Sequence, residues 1–164
     1  LIALDLWSKA ASFADVQAEA PRGRRVDFEL EWAEPFGFAL VEYRNTGTIW
    51  GLGQDLTIPL MVLRCVALGV IVWFAARTPA IRRLQLLVLG LIFAGAVGNL
   101  YDNFFMPDRG VRDFLLFFMR GADGAEHVFP AFNVADSCIS VGAVLLMILL
   151  WREPSDRGGS GGKG

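Results

Sequence analysis

The sequence is poor in the residues that most soluble catalytic sites use. It has one histidine, His127, and two cysteines, Cys65 and Cys138. A lone histidine cannot complete a metal site, and no Cys/His ligand spacing is present, so zinc-type centres are excluded. Both cysteines lie in apolar runs, where a thiol is usually a small buried hydrophobe, and they give no disulfide framework. A Ser-His-Asp grouping of Ser137, His127 and Asp136 is disfavoured because neighbouring helical residues point about 100° apart. Charge is scarce as well: 20% of residues are Asp, Glu, Lys or Arg, and the net charge is -2. That balance leaves no basic face for phosphates, and no nucleic-acid partner is expected.

What the chain has in excess is apolar sequence, with 54% hydrophobic residues and a mean hydropathy of +0.46. The excess is clustered, which makes the bilayer the expected solvent. A hydrocarbon core of about 30 Å needs roughly 20 helical residues. Three runs have that length: Leu56 to Ala76, Leu84 to about Phe105, and about Phe132 to Trp151. Each is interrupted by polar groups: Arg64 a couple of turns into the first, Asn99 and Asp102 near the end of the second, Asn133 and Asp136 at the start of the third. The last two interruptions therefore fall on one side of the membrane.

Arg77, Arg82 and Arg83 occupy a short connection without acid, which by the positive-inside rule is cytoplasmic. The ends carrying Asp102 and Asp136 then face outward, as does the acidic stretch leading into the first run. Val26, Phe28, Leu30 and Trp32 alternate with Asp27, Glu29 and Glu31, the period-two pattern of a strand with one apolar face. Glu34 to Gly37 reads as a turn and Phe38 to Arg44 as a returning strand. The fold class expected is an α-helical integral membrane protein with a small antiparallel β-sheet on its outer face. Its divisions are 1–10, the end of an earlier membrane helix; 11–55, the outer sheet segment; 56–77, a span; 78–83, a cytoplasmic loop; 84–105, a span; 106–131, an outer loop with a short helix; 132–152, a span; and 153–164, a flexible Gly/Ser tail. With no initiator Met and only Leu1 to Leu4 apolar at its start, the chain reads as truncated at the front.

Carboxylates remain as the chemistry. Asp102, Asp113 and Asp136 lie at or near the outer span ends, where a charge costs several kcal/mol unless it is paired, hydrated or used. Asn99 and Asn133 each precede an aspartate by three residues on one helical face, so their amides can orient Asp102 and Asp136. Two carboxylates brought close in a dry site share a proton, one acting as base on water and the other as acid on a carbonyl. Spacing alone does not decide which two aspartates pair. It also leaves open a transporter or channel subunit whose acids relay protons or bind cations.

Four blocks resemble the bacterial lipoprotein signal peptidase (signal peptidase II) family. Gly95-Ala96-Val97-Gly98-Asn99-Leu100-Tyr101-Asp102 is similar to its Gly-Ala-x-Gly-Asn-x-x-Asp-Arg block, and Phe132-Asn133-Val134-Ala135-Asp136-Ser137 to its Phe-Asn-x-Ala-Asp-Ser block. Asp5 with Lys9 matches Asp-x-x-x-Lys, and Asn45 with Gly47 matches Asn-x-Gly. The resemblance covers Asp5 to about Trp151. It implies a four-span aspartyl endopeptidase of the bacterial inner membrane, without cofactor and monomeric, facing the exterior. Such an enzyme cuts diacylglyceryl-modified prolipoproteins before the lipidated cysteine, with membrane lipid around it.

Carried over by position, the resemblance implies a dyad of Asp113 and Asp136. Asn45, Gly47, Asn99, Asp102, Asn133 and Ala135 become supporting or substrate-binding residues, and Asp5 and Lys9 tie the first helix end to the sheet. The chain departs from the family at Asn103, where an arginine normally follows Asp102, and Arg109 or Arg112 is a candidate replacement. The segment from Asp102 to Asp113 is about two residues longer than usual, and Gly47-Thr48-Ile49-Trp50 replaces Gly-Ala-Ala-Phe. An inactive relative that binds lipidated signal peptides is the further alternative.

Overall fold

The computed structural model describes residues 1–13, 26–33, 35–46 and 57–152. In chain order the elements are α1 (Ile2–Ser12), β1 (Val26–Ala33), β2 (Phe36–Asn45), α2 (Thr57–Arg77), α3 (Arg83–Phe105), β3 (Val111–Arg120), β4 (Glu126–Val128) and α4 (Val134–Arg152). Gly47, Trp50 and the Gly/Ser tail lie outside the described residues, as do the side chains that would form the apolar face of β1 around Phe28 and Trp32.

Among the described residues three helices, α2, α3 and α4, are long and apolar enough to cross a membrane. Their hydrophobicity is distributed all round rather than on one face, as a helix solvated by lipid requires. α3 is the central element, packing against α1, α2 and α4. Its closeness to α4 depends on small residues. A Cβ on Gly95 would strike the Ala135 carbonyl, and one on Gly142 would strike the Ile92 side chain. Small residues at such crossings let backbones approach where no hydrophobic effect drives association. α2 contributes no buried residue and touches the bundle through α3.

The strands form one antiparallel sheet in the order β1-β2-β3-β4. The expected pair, β1 with β2, meets at Leu30 opposite Phe38 and Glu29 opposite Ala39. β3 adds along the other edge of β2, with Phe38 opposite Phe117 and Tyr43 opposite Asp113. A register shift between Leu40 and Tyr43 bends β2 beside Asp113.

The short helix expected within 106–131 is not formed; that segment holds β3 and β4. Val111 to Met119 is rich in aromatic residues, and the edge of β2 offers a ladder that a short, isolated helix in the same segment would forgo. Alternate residues then take opposite faces, so Leu116 and Phe118 are buried with Ala39 and Val41 while Phe117 is exposed. Phe114 is buried too, so of the three phenylalanines in β3 only Phe117 reaches the surface. The Phe118 ring lies over Gly37, where any Cβ would collide with it.

Candidate active site

α3, α4, β3 and α1 converge on a cluster of polar side chains that are almost fully buried: Asp5, Lys9, Asn99, Asp102, Asn103, Asp113 and Asn133. In an apolar protein such burial is tolerated only where every group finds a partner. The partnering here is nearly complete.

Asn133 is the hinge of the arrangement. Its backbone N–H donates to Asp136 Oδ2 at 3.1 Å, and its Oδ1 accepts the Asp136 N–H at 2.9 Å. This reciprocal cap starts α4 and fixes the Asp136 carboxylate in the first helical turn, where the helix dipole favours negative charge. The Asn133 Nδ2 points the other way, donating to Asp113 Oδ1 at 2.7 Å, Asn99 Oδ1 at 3.1 Å and the Arg112 carbonyl at 3.2 Å. One residue therefore contacts both carboxylates, Asp113 through its side-chain amide and Asp136 through its backbone N–H.

Asn99 donates from Nδ2 to Asp136 Oδ1 at 2.7 Å. The expectation that it orients Asp102 on its own helix is thus corrected: it serves the aspartate of the facing helix. Its Oδ1 is taken by Lys9 Nζ at 3.0 Å as well as by Asn133. Because an ammonium only donates, Lys9 forces the amide oxygen toward itself and the amide nitrogen toward Asp136. Asn45 Nδ2 donates to Asp113 Oδ2 at 3.1 Å from the end of β2.

Asp102, completely buried, is engaged elsewhere. Its Oδ1 accepts from Arg112 Nη2 at 2.8 Å and Nε at 3.2 Å, and its Oδ2 accepts the Arg112 N–H at 3.0 Å. Lys9 Nζ lies 3.4 Å away. Arg112, rather than Arg109, supplies a cation beside this aspartate. Arg112 and Asp113 are adjacent on β3, so the pairing that occupies Asp102 leaves Asp113 pointing to the opposite face. Strand alternation, invisible while the segment reads as a loop, decides which aspartate meets Asp136.

Asp5 and Lys9 form an ion pair at 2.8 Å one helical turn apart. They do not tie α1 to the sheet. Asp5 Oδ1 accepts the Ala135 N–H at 2.9 Å, and Lys9 reaches the Gly98 carbonyl at 3.4 Å, so both anchor α1 to the α3–α4 junction. A Cβ on Gly98 would collide with the Asp5 carboxylate, which explains the glycine there. Ala135 is fully buried at that junction, where its part is packing.

Burial raises the Asp113 pKa well above the ordinary carboxylate range, and the charge of Asp136 raises it further; Asn45, Lys9 and Asn133 pull partly the other way. A carboxyl held protonated beside a second carboxylate supplies an acid and a base in one place. Arg64 and Asn103 were not recognised from the sequence as parts of this region. Arg64 Nη1 donates to Asn103 Oδ1, and Asn103 Nδ2 donates to the Arg109 carbonyl at 2.6 Å. A charge inside an apolar run was the available signal for Arg64.

The spans and the buried acids define a multi-pass membrane protein with a cluster of partnered carboxylates between its helices and its sheet. The sequence profile of the family described as signal peptidase (SPase) II matches residues 1–152. The lipoprotein signal peptidase of Deinococcus radiodurans is 32% identical over 154 residues, 90% of this chain and 73% of that protein. That of Clostridium novyi is 35% identical over 126 residues, 76% of this chain and 80% of that protein. That of Borrelia garinii subsp. bavariensis is 32% identical over 114 residues, 68% of this chain and 66% of that protein. A solved bacterial membrane enzyme aligns with a TM-score of 0.70 at 24% identity, covering 99% of this chain and 89% of that chain, a likeness of fold. The chain belongs to the signal peptidase II family. It is a membrane peptidase by lineage rather than a transporter or channel subunit.

Proposed function

We propose that Asp113 and Asp136 are the catalytic dyad with which this chain cleaves diacylglyceryl-modified prolipoproteins before the lipidated cysteine. The observation that carries this reading is Asn133, whose side-chain Nδ2 donates to Asp113 and whose backbone N–H donates to Asp136, while Asp102 is committed to Arg112 and Lys9. Asp136, with donors from Asn99 and Asn133 and a helix N-terminus behind it, is suited to carry the negative charge. Asp113, the more protected carboxyl, is suited to hold the shared proton.

In the reaction, Asp136 takes a proton from water as the water oxygen bonds to the scissile carbonyl carbon. Asp113 gives its proton to the carbonyl oxygen, forming a neutral gem-diol. The C–N bond then breaks as the proton on Asp136 passes to the leaving amine and a gem-diol proton returns to Asp113. The dyad regains its starting state, and the products are a free carboxyl on the signal peptide and an amine on the lipidated cysteine.

A lipidated substrate stays in the bilayer because each buried methylene is worth about 0.8 kcal/mol. Acids at the span ends meet such a substrate at the membrane surface. The basic connection between α2 and α3 supports a cytoplasmic location for that loop, and hence an inner-membrane enzyme with its dyad and sheet on the outer side. The test uses the detergent-solubilised full chain and a lipidated precursor, with product read by mass. Asp113→Asn and Asp136→Asn each abolish cleavage while the protein still inserts and folds. Turnover at the wild-type level by either variant refutes the dyad.

A further inference from the structure

Arg64 is the only charged residue within α2 before Arg77, and it lies two turns below the helix start in a segment otherwise made for lipid. A guanidinium at such a depth is expensive unless it is used. Its partner is not an acid but Asn103, which is 1% exposed. The acids Asp136, Asp113 and Asp102 lie within electrostatic reach of the guanidinium, which places Arg64 beside the site as well as against α3.

The amide passes the constraint on. Arginine has donors and no acceptor, so only Asn103 Oδ1 can face it, and Nδ2 must then face the opposite way. There it holds the Arg109 carbonyl at 2.6 Å. Arg109 has a φ of 54°, the one left-handed non-glycine backbone among the described residues. Such a conformation costs about 1–2 kcal/mol and persists where its surroundings enforce it. Immediately beyond it the chain enters β3, where Arg112 locks onto Asp102 and Asp113 is delivered to the dyad. The strained turn thus sets the phase of the strand, and the Asn103 amide sets the turn.

We propose that Arg64 is a positioning residue for the dyad, orienting the Asn103 amide so that it holds the Arg109 turn and thereby the placement of Asp113 opposite Asp136. The inference rests on the dyad reading above. Its mechanical content is separate: a cation-fixed donor is needed at the Arg109 turn carbonyl, whichever element carries it. An arginine at position 103 itself could bring donors to the same turn carbonyl.

Steady-state kinetics on a lipidated precursor would compare the full-length wild type with Arg64→Lys, Arg64→Met and the double variant Arg64→Met/Asn103→Arg. Thermal unfolding would be measured in parallel. A displacement of a catalytic group by about 1 Å can cost on the order of 100-fold in rate. Arg64→Met is therefore expected to lose about 10- to 100-fold in kcat with KM within about twofold, and Arg64→Lys to lose less. Restoring the cation from α3 in the double variant recovers most of the lost kcat. A wild-type kcat in Arg64→Met, or a double variant no better than Arg64→Met, overturns the proposal. Should Arg64→Met fail to fold, Arg64→Lys and the double variant decide: a double variant that folds but is inactive overturns it, and one that is active supports it. If Asp113→Asn and Asp136→Asn are inactive while Arg64→Met is normal, only the positioning role falls. If the aspartate variants are active, the dyad falls first.

Discussion

Asn133 caps a membrane helix and bridges two acids, and substitution can separate these tasks. Asn133→Ser keeps a capping oxygen for the Asp136 N–H but removes the Nδ2 that meets Asp113, Asn99 and the Arg112 carbonyl. Asn133→Ala removes both functions. An N-cap replaced by alanine typically costs about 1 kcal/mol. A hydrogen bond to a neutral carboxyl is worth about 1 kcal/mol, and a buried acceptor left without its donor adds about 1 kcal/mol or more. The serine variant should therefore lose about 2 kcal/mol of folding stability and the alanine variant about 1 kcal/mol more. If most of the bond to Asp113 is expressed in the transition state, kcat falls about 10- to 100-fold in both, since each 1.4 kcal/mol is tenfold. Denaturant unfolding in detergent and single-turnover cleavage of a lipidated precursor give the two numbers. The reasoning fails if Asn133→Ser cleaves like wild type, because the bridging amide would then contribute nothing to the chemistry. It fails equally if serine destabilises as much as alanine, because the cap would then be absent.

Two further outcomes follow from the same site. Because the Asp113 carboxyl is raised above its unfolded value, the folded chain holds a proton that the unfolded chain has released between the two values, so stability from this group is complete at low pH and declines as pH rises through that window. The proton needed for catalysis is lost on the same alkaline side. Asn45→Ala removes a donor to the ionised form and should move the alkaline limb of the kcat–pH profile upward; a downward or absent shift contradicts the role of that bond. Gly98→Ala pushes a methyl into the Asp5 carboxylate and should dislodge α1 at a cost of about 1–3 kcal/mol, whereas Gly90→Ala, with open space around it, should be neutral or slightly stabilising. Equal unfolding midpoints for the two alanine variants would show that the α1 junction is not under that steric constraint.

The fold class was legible because hydrophobic runs of membrane length and period-two alternation are local properties of sequence. The three spans and the first hairpin depend on nothing distant. The segment carrying β3 was not legible in this way. Its residues suit an amphipathic helix on lipid as well as a strand, and the unpaired edge of β2, some 70 positions earlier in the chain, settles the matter. The site divides likewise. Asn99, Asp102, Asn133 and Asp136 stood out as polar interruptions of apolar runs, and Asp113 was singled out for the dyad only by the family resemblance carried over by position.

Which acid joins which is a tertiary fact. Sequence by itself determined that buried carboxylates gather at one end of a helical bundle, because apolar runs must be solvated by lipid and their polar ends must meet. Only the tertiary structure decided that Arg112 and Lys9 engage Asp102, that Asn133 joins Asp113 to Asp136 through its side-chain amide and its backbone N–H, and that Arg64 reaches across from a neighbouring helix to Asn103. Hydrogen bonds between elements depend on angstrom-scale approach of helices and on the phase of a strand, and those quantities arise only when the whole chain is packed.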